Sequence, residues 1–361
     1  MHHRSHTRAF LALLVALTGL CASVSSSRLT QAQSGVGLEP TVAAEINNST
    51  AVPVNSLANE PVWLPLIYRS VSTSPSGPGT LYRTTVAPPS SDADFKTGEL
   101  SLWIPSTTEP LRGVIVYGPG CGASSVANGA PGTERKKLAE KWRLGFVGMH
   151  FTDNGKFCSW SKAKEAGEAL IAALNDFARQ SNRPELAHVP MVLYGMSGGA
   201  GYIMNVAFTY PNRTIAAFPR GHLSGSSLAP AGYNIPLMLS IGETDAGVNG
   251  MTNYFYKHRP QGPIWSFAKT PGEGHVLGQS WNMAVIFFDA VLEQRLPAQV
   301  TNGPVTLKPM DQSRAWLGNN DTKVIAPATS YSGDPLKASW LPNEHVARKW
   351  QEFVTTAKVT P

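Results

Sequence analysis

This 361-residue sequence carries little charge and has no long block of basic residues. Charged residues make up 15% of the chain, and the formal net charge of +6 includes Arg4 and Arg8 of the N-terminal segment. Proteins that bind nucleic acids need clustered Lys and Arg to neutralise phosphates. The short basic group at residues 135–137 is typical of a solvated helix face instead. We therefore expect no nucleic-acid partner.

The sequence also lacks the residue spacing of a metal site. No two histidines beyond the N-terminal segment stand at metal-ligand spacing, and no Cys/His pairs cluster. Apart from that segment, no apolar run approaches the roughly 20 residues that a membrane helix needs. The expectation is a protein with no catalytic metal, no other cofactor and no membrane span.

The N-terminal segment has the three regions of a secretory signal. Arg4 and Arg8 precede an apolar stretch, Ala9–Ala22, which is too short to span a membrane and is followed by a Ser-rich segment. We assign residues 1–32 to a signal peptide, with cleavage near Ala22 or near Ala32 left open. Leu20 stands where a lipoprotein signal needs a small residue, which argues against lipid attachment at Cys21. The predicted location is secreted or periplasmic.

Removal of this segment leaves two of the three cysteines, Cys121 and Cys158. An even pair in an oxidising compartment favours a disulfide. Such a bridge would connect the loop after one predicted strand with the segment after the next strand. Two separate buried thiols remain the alternative.

Strand and helix patterns alternate from Glu99 onward, which predicts an α/β fold with a mostly parallel sheet flanked by helices. Residues 33–98 are interpreted as a flexible leader and an N-terminal strand segment, with the Ser- and Pro-rich residues 71–93 as a surface loop. Residues 99–296 form the predicted catalytic domain. Residues 297–361 are a predicted extension packed on that domain, with a short helix at Asn343–Val354. The predicted strands are 99–105, 113–118, 144–151, 189–195, 214–220, 236–242 and 263–270; the predicted helices are 133–143, 161–180, 198–209, 246–258 and 278–294.

Residues 195–199 read Gly-Met-Ser-Gly-Gly, between a predicted strand and a predicted helix. A G-x-S-x-G motif in this context is typical of a nucleophile elbow, in which small neighbours allow a tight turn. The following helix points its N-terminal N–H groups at the same place. We therefore predict Ser197 as a nucleophile.

A serine nucleophile needs a base and an acid that orients the base. Among the histidines after Ser197, His275 follows a strand in a Gly-rich turn and precedes a helix. Asp245 ends the predicted strand 236–242 and is the expected orienting acid, with Glu243 as the fallback. Glu273 is too close to His275 in sequence for that role. Asp245 as a helix N-cap is the structural alternative.

The oxyanion of a tetrahedral intermediate needs backbone donors. One expected donor is the N–H of Gly198, directly after the nucleophile. The loop Gly118-Pro-Gly-Cys-Gly122 follows an earlier strand, and Pro119 has no N–H. The second donor is therefore Gly120, Cys121 or Gly122, and its place in the loop favours Cys121.

Four residues near predicted strand ends or helix starts are candidate substrate contacts: Trp160, Tyr202, His222 and Trp281. Each is equally compatible with an ordinary core or surface position. The connection His222–Ile235 is short and rich in small residues. It predicts an open cleft without a large lid, able to take a small, bulky or polymeric substrate.

In this order of features, residues 99–296 resemble an α/β-hydrolase, and the chain is similar to exported bacterial serine esterases of the polyhydroxybutyrate-depolymerase and feruloyl-esterase kind. The resemblance implies a Ser197–His275–Asp245 triad, oxyanion donors at Gly198 and Cys121, and hydrolysis of carboxylic esters. The chain departs from lipases, which carry His-Gly-Gly-Gly in the oxyanion loop. Dehalogenases need Asp and dienelactone hydrolases Cys at the elbow, so Ser197 argues against both. A non-catalytic exported binding protein on this scaffold and a serine peptidase are the alternative functions; the oligomeric state is left open.

Overall fold

A computed structural model of the chain describes residues 67–73, 79–126, 132–162, 164–223, 230–298 and 303–361. Contacts divide the chain into Met1–Glu60 and Pro61–Pro361, and every described residue belongs to the second unit. The predicted signal peptide and the first part of the leader lie outside the described residues.

The described residues build a nine-stranded sheet with the order β1-β2-β3-β5-β4-β6-β7-β8-β9. Strands β1 to β3 pair antiparallel, and β3 pairs antiparallel with β5, whereas β5, β4 and β6 to β9 run parallel. This confirms the predicted mostly parallel sheet. The strands are β1 (Ile67–Thr73), β2 (Gly79–Val86), β3 (Phe95–Pro105), β4 (Gly113–Gly118), β5 (Leu144–Asp153), β6 (Met191–Met196), β7 (Thr214–Arg220), β8 (Leu237–Gly242) and β9 (Trp265–Thr270).

Helices cover both faces of this sheet. One apolar cluster joins a sheet face to α2, α3 and α4, and a second cluster joins the other face to α1, α5 and α6. Parallel strands covered on both faces need continuous apolar runs, and every residue of β6, β7 and β8 is buried. From β4 to α5, the first and last residues predicted for each element differ from those in the structure by at most three residues. The helices are α1 (Thr133–Trp142), α2 (Lys164–Ser181), α3 (Gly198–Thr209), α4 (Val248–His258), α5 (Ser280–Arg295) and α6 (Glu344–Thr356).

The predicted surface loop at residues 71–93 is wrong over much of its length. Residues 79–86 form β2, which pairs along its whole length with β3, and β3 begins at Phe95 rather than at Glu99. The high Thr content of this segment suits a strand, because Thr is β-branched. Thr84 is buried and its hydroxyl donates to the carboxylate of Asp176 at 2.9 Å. Residues 87–94 are irregular, as expected.

Residues 303–361 pack along β9, which lies at the edge of the large sheet. They form a three-stranded sheet of β10 (Trp316–Gly318), β11 (Ile325–Pro327) and β12 (Ser339–Leu341), followed by α6. Asn343 caps α6, since its side chain accepts the N–H of Val346 at 2.9 Å. The Ser339 hydroxyl accepts the Phe267 N–H at 2.8 Å, and the Trp350 indole donates to the Phe267 carbonyl at 2.9 Å. These bonds satisfy the N–H and carbonyl of Phe267 on the open edge of β9.

Candidate active site

Ser197 lies between β6 and α3 in a backbone conformation that is rare outside glycine, with φ 54° and ψ −123°. The turn is so tight that a Cβ atom at Gly195 would lie 2.2 Å from the Gly199 carbonyl oxygen. The Ser197 N–H donates to the carbonyl of Arg220 on the neighbouring strand β7 at 2.8 Å. The glycines on both sides therefore permit the conformation, and β7 supports it.

The loop 118–122 packs backbone to backbone on the start of α3. A Cβ atom at Gly199 would lie 2.0 Å from the Gly118 carbonyl oxygen, and one at Gly120 would lie 3.7 Å from the Ser197 Cβ. The Cys121 backbone nitrogen is 3.5 Å from the Cβ position of Gly198, so the two predicted oxyanion donors are neighbours. Gly122 has a φ of 72°, and its Cβ position has no neighbour within 4 Å.

The predicted disulfide between Cys121 and Cys158 is present, with a Cα–Cα distance of 5.3 Å. It joins the loop 118–122 to the segment after β5. Both sulfur atoms lie against Gly198, because a Cβ atom there would lie 2.2 Å from the Cys158 Sγ and 2.3 Å from the Cys121 Sγ. The disulfide thus closes one side of the elbow and leaves room only for glycine at residue 198.

Asp245 and His275 come together at the ends of β8 and β9. The buried Asp245 has its Oδ2 2.7 Å from the His275 Nδ1, while its Oδ1 accepts the Gly247 N–H at 2.8 Å. The alternative role of Asp245 as a helix N-cap is wrong, because Gly247 is the N-cap of α4 and no side chain caps that helix; the second oxygen braces the turn before it. Glu243, the fallback acid, is exposed and accepts the Gly272 N–H at 3.2 Å.

Among the described residues, no hydrogen bond joins the Ser197 hydroxyl to His275, a contact that commonly tightens only when substrate binds. The dipeptide Arg220–Gly221 nevertheless contacts both residues. Ser197 bonds to the Arg220 carbonyl, and the Cβ position of the next residue, Gly221, lies 3.2 Å from the His275 ring. Gly221 has a φ of 78°, so a larger residue would be strained there and would also crowd the ring.

Two of the predicted substrate contacts, Trp160 and Tyr202, are wrong. Both side chains are buried in the core, where they pack on each other and on Phe151. The Tyr202 hydroxyl donates to the Ala166 carbonyl of α2 at 3.1 Å. Tyr202 belongs to the face of α3 that packs on α2, and Trp160 lies in a short 3-10 turn beneath the same helix.

The other two predicted contacts differ from each other. His222 follows Gly221, and its side chain is exposed at the surface. Desolvation by the atoms around the ring, followed by the charges of Lys162 and His275, lowers the pKa of His222 below its ordinary value. Trp281 is half-buried on the α1 and α5 side of the sheet. It stacks on Tyr194 with the ring centres 3.6 Å apart, and the Arg135 guanidinium lies 4.8 Å from its ring. These partners account for the indole of Trp281, so only His222 remains a candidate for a substrate contact.

Sequence reasoning missed Arg220 and an apolar rim. Arg220 is a fully buried cation at the end of β7, and it bonds to Glu273 in the His275 turn at 2.5 Å. An arginine closing an otherwise apolar strand, Thr-Ile-Ala-Ala-Phe-Pro-Arg, was the available signal. The rim consists of Phe157 beside Cys158 and of Val276 and Leu277 after His275. These three are among the five exposed large hydrophobic residues of the described chain, and Phe157 is 81% exposed.

Within the described ranges, no three His, Cys, Asp or Glu side chains are grouped as a metal site would require. In the same part of the chain, no helix combines the length and apolar character needed to cross a membrane.

No protein-family model matches the sequence, and no curated relative matches it. Several solved structures align with about three fifths of the chain at low identity. The serine hydrolase FphF of Staphylococcus aureus is 13% identical, with 60% of this chain and 98% of that chain covered and a TM-score of 0.40. An S-formylglutathione hydrolase from Agrobacterium tumefaciens is 14% identical (62% and 96% covered, TM-score 0.41). The feruloyl esterase module from Clostridium thermocellum is 10% identical (62% and 94% covered, TM-score 0.41).

The fold is identified by the strand order of the sheet and by the turns that follow β6, β8 and β9. A parallel sheet carries a G-x-S-x-G turn after β6, a carboxylate after β8 and a histidine after β9, in the chain order Ser, Asp, His. The chain has an α/β-hydrolase fold.

Proposed function

We propose that this protein is a serine hydrolase that cleaves carboxylic esters with Ser197, His275 and Asp245 as its triad. The observation that carries the proposal is the convergence of three features at the carboxyl ends of the parallel strands. They are the strained elbow at Ser197, the loop 118–122 packed against it and the Asp245–His275 pair with its 2.7 Å separation. A nucleophile, an oriented base and two neighbouring N–H groups are the parts that acyl transfer needs.

In the proposed mechanism, the Ser197 Oγ attacks the ester carbonyl carbon while the His275 Nε2 takes the hydroxyl proton. The carbonyl electron pair moves to oxygen, where the N–H groups of Gly198 and Cys121 stabilise the oxyanion. Collapse of this intermediate breaks the bond to the alcohol oxygen, which receives the proton from His275. Asp245 stabilises the imidazolium throughout. Water then repeats the sequence on the acyl-enzyme and releases the acid.

The substrate class follows from the rim of this site. Phe157 directly precedes the disulfide residue Cys158, and Val276 and Leu277 directly follow His275, so exposed apolar residues adjoin in sequence two parts of the proposed site. Exposed apolar groups clustered beside a site are typical of ligand contact. The rim favours esters with apolar groups, including bulky or polymeric ones. The signal-like segment and the disulfide support an exported enzyme.

The test is hydrolysis of p-nitrophenyl butyrate by the purified protein, beside Ser197→Ala and with a fluorophosphonate probe. We expect hydrolysis and labelling in the wild type, and a loss of several orders of magnitude in the variant at unchanged folding. Wild-type turnover in Ser197→Ala would refute the role of Ser197. A folded wild type that neither hydrolyses nor labels would favour the binding-protein alternative, and faster cleavage of peptide than of ester substrates would favour the peptidase.

A further inference from the structure

Arg220 is the most strongly bonded side chain near the candidate site. It is fully buried, and all three of its guanidinium nitrogens donate. The Nη2 atom lies 2.5 Å from the Glu273 carboxylate, and Nε lies 3.0 Å from the Val276 carbonyl. The Nη1 atom donates to the hydroxyls of Ser240 and Thr270, both at 3.0 Å. A side chain with no exposed surface does not itself contact substrate.

These four partners have a clear arrangement around the base. Glu273 and Val276 lie on either side of His275 in its turn, two residues before it and one after it. Ser240 lies on β8 and Thr270 ends β9. The guanidinium therefore fastens the turn that carries His275 to the ends of two strands, and the planar fork fixes direction as well as distance.

The main chain of the same residue reaches the nucleophile. The Arg220 carbonyl accepts the Ser197 N–H at 2.8 Å, and the adjoining Gly221 lies against the His275 ring. One dipeptide thus contacts the elbow through the Arg220 carbonyl, the turn that carries the base through the Arg220 side chain, and the base itself through Gly221. Displacements of the His275 turn relative to Ser197 are opposed by this dipeptide.

A packing role alone does not call for an arginine here. Burying a cation is costly, and well-packed apolar residues often stabilise a core as well as a buried ion pair does. The five residues before Arg220 in β7 are apolar, so an apolar side chain at its end would fit the pattern. What an apolar residue cannot do is donate to both sides of the His275 turn.

We propose that Arg220 is a positioning residue, whose guanidinium holds the His275 turn so that the ring stays paired with Asp245 and aimed at Ser197. This inference rests on the proposed function for its kinetic consequences, and it has a structural consequence that does not. Without the fork, the ring moves, and a misplacement of about 1 Å costs on the order of 100-fold in rate.

The fold supplies a matched control in Arg295. Its guanidinium is also buried, and its Nη1 donates to the carbonyls of Thr214 and Ile215 at 3.0 and 2.6 Å. Those residues begin β7, at the end opposite Arg220. Arg295 ends α5, and its replacement removes a buried guanidinium that is bonded to the same strand, β7. The His275 turn is left unchanged.

The experiment compares Arg220→Lys, Arg220→Met and Glu273→Gln with Arg295→Lys and Arg295→Met, using p-nitrophenyl butyrate well below each melting temperature. We expect the Arg220 variants to lose about 10- to 100-fold in kcat with KM within about threefold. Fluorophosphonate labelling should slow in parallel. The Arg295 variants should melt lower while kcat per folded molecule stays within about twofold.

Proton NMR provides the readout that does not depend on turnover. The His275 Nδ1 proton shared with Asp245 should give a low-field resonance in the wild type and in Arg295→Lys, and that resonance should be lost or broadened in Arg220→Lys. Equal kcat losses at the two arginines for equal loss of melting temperature would overturn the proposal, as would an unchanged resonance in Arg220→Lys. If neither Arg220 variant folds, Glu273→Gln provides the test. An unchanged kcat and an unchanged resonance in that variant would overturn the proposal that Arg220 positions His275. A wild type without esterase activity refutes the proposed function, while the resonance still tests Arg220.

Discussion

Ser197 occupies its left-handed conformation at an energetic cost, because its Cβ is crowded at a φ of 54°. Such strain at a non-glycine residue is on the order of 1–3 kcal/mol and persists only where the surroundings hold it. Here the surroundings are the Gly195 and Gly199 backbones and the bond to Arg220. The placement of the half-buried Ser197 side chain at this turn is thus obtained at the expense of stability.

We expect Ser197→Gly to melt about 2–4 °C above Ser197→Ala, because glycine relaxes the strain that alanine retains. The greater freedom of glycine in the unfolded chain offsets roughly 0.4–1 kcal/mol of the gain. Calorimetry of the two variants measures the difference, and both should be inactive on p-nitrophenyl butyrate. A glycine variant that melts below the alanine variant would show that Ser197 is not strained.

Phe157 is the most exposed of the rim side chains, and its removal should change selectivity rather than turnover. We expect Phe157→Ser to lower kcat/KM for p-nitrophenyl octanoate about 3- to 10-fold and to leave p-nitrophenyl acetate unchanged, since each buried methylene contributes roughly 0.8 kcal/mol. Leu336→Ser, at an exposed position of the C-terminal segment, is the control. Equal effects on both esters would remove Phe157 from the substrate site.

At the scale of elements, the candidate site depends on two loops that are held together covalently. The loop after β4 lies on the start of α3 with no room for a Cβ at Gly118, Gly195 or Gly199, and the disulfide ties it to the segment after β5. The proposed donor N–H of Cys121 therefore belongs to a cross-linked residue. A fixed donor costs no reorganisation when the oxyanion forms.

Replacement of both cysteines by serine should lower kcat more than it raises KM, because the loop 118–122 becomes free to move away from Gly198. The unfolding free energy should fall by about 2–4 kcal/mol, the usual contribution of a disulfide. Kinetics and urea unfolding measure the two effects, and dithiothreitol treatment of the wild type should reproduce them. Retention of full kcat in the double variant would dissociate the disulfide from the oxyanion hole.

The elements differ in how far the sequence could predict them. The parallel strands were predictable because they are mostly apolar runs, several with Gly or Pro at their ends, and the predicted Ser, Asp and His positions follow from where those runs end. β2 was not, since it lies within the Ser- and Pro-rich residues 71–93, which resemble a loop, while its strand character depends on pairing with β3. The predictions of Trp160 and Tyr202 as substrate contacts are wrong because a position near a strand end does not determine which face a side chain occupies. Arg220 acts through partners 20 to 56 residues away in sequence, which no local pattern contains.

At the scale of the molecule, the C-terminal segment completes the sheet that carries the base. Phe267 of β9 donates its N–H to Ser339 and accepts the indole N–H of Trp350, and the fully buried Trp350 also fills space against Gly318. An uncovered edge strand is a template for pairing with other chains. This segment therefore contributes both stability and protection from aggregation.

Trp350→Ala should lower the unfolding free energy by about 3–5 kcal/mol through the cavity and the lost bond to Phe267. This corresponds to a melting temperature lower by roughly 10 °C, and light scattering on warming should begin earlier. Val324→Ala, at an exposed position of the same segment, should change neither quantity. A small effect of the tryptophan change would mean that the β9 edge is protected by other contacts.

The packing of residues 339–350 on β9 also determines when, during translation, the edge of β9 can be covered. Phe267 and Ser339 are 72 residues apart, and Phe267 and Trp350 are 83 apart. While a ribosome translates the intervening codons, a nascent chain carries β9 with its edge unsatisfied and the His275 turn on an unfinished sheet. Until residues 339–350 have left the ribosome, β9 keeps an open edge that a chaperone would protect, and the proposed base lies beside an uncovered strand.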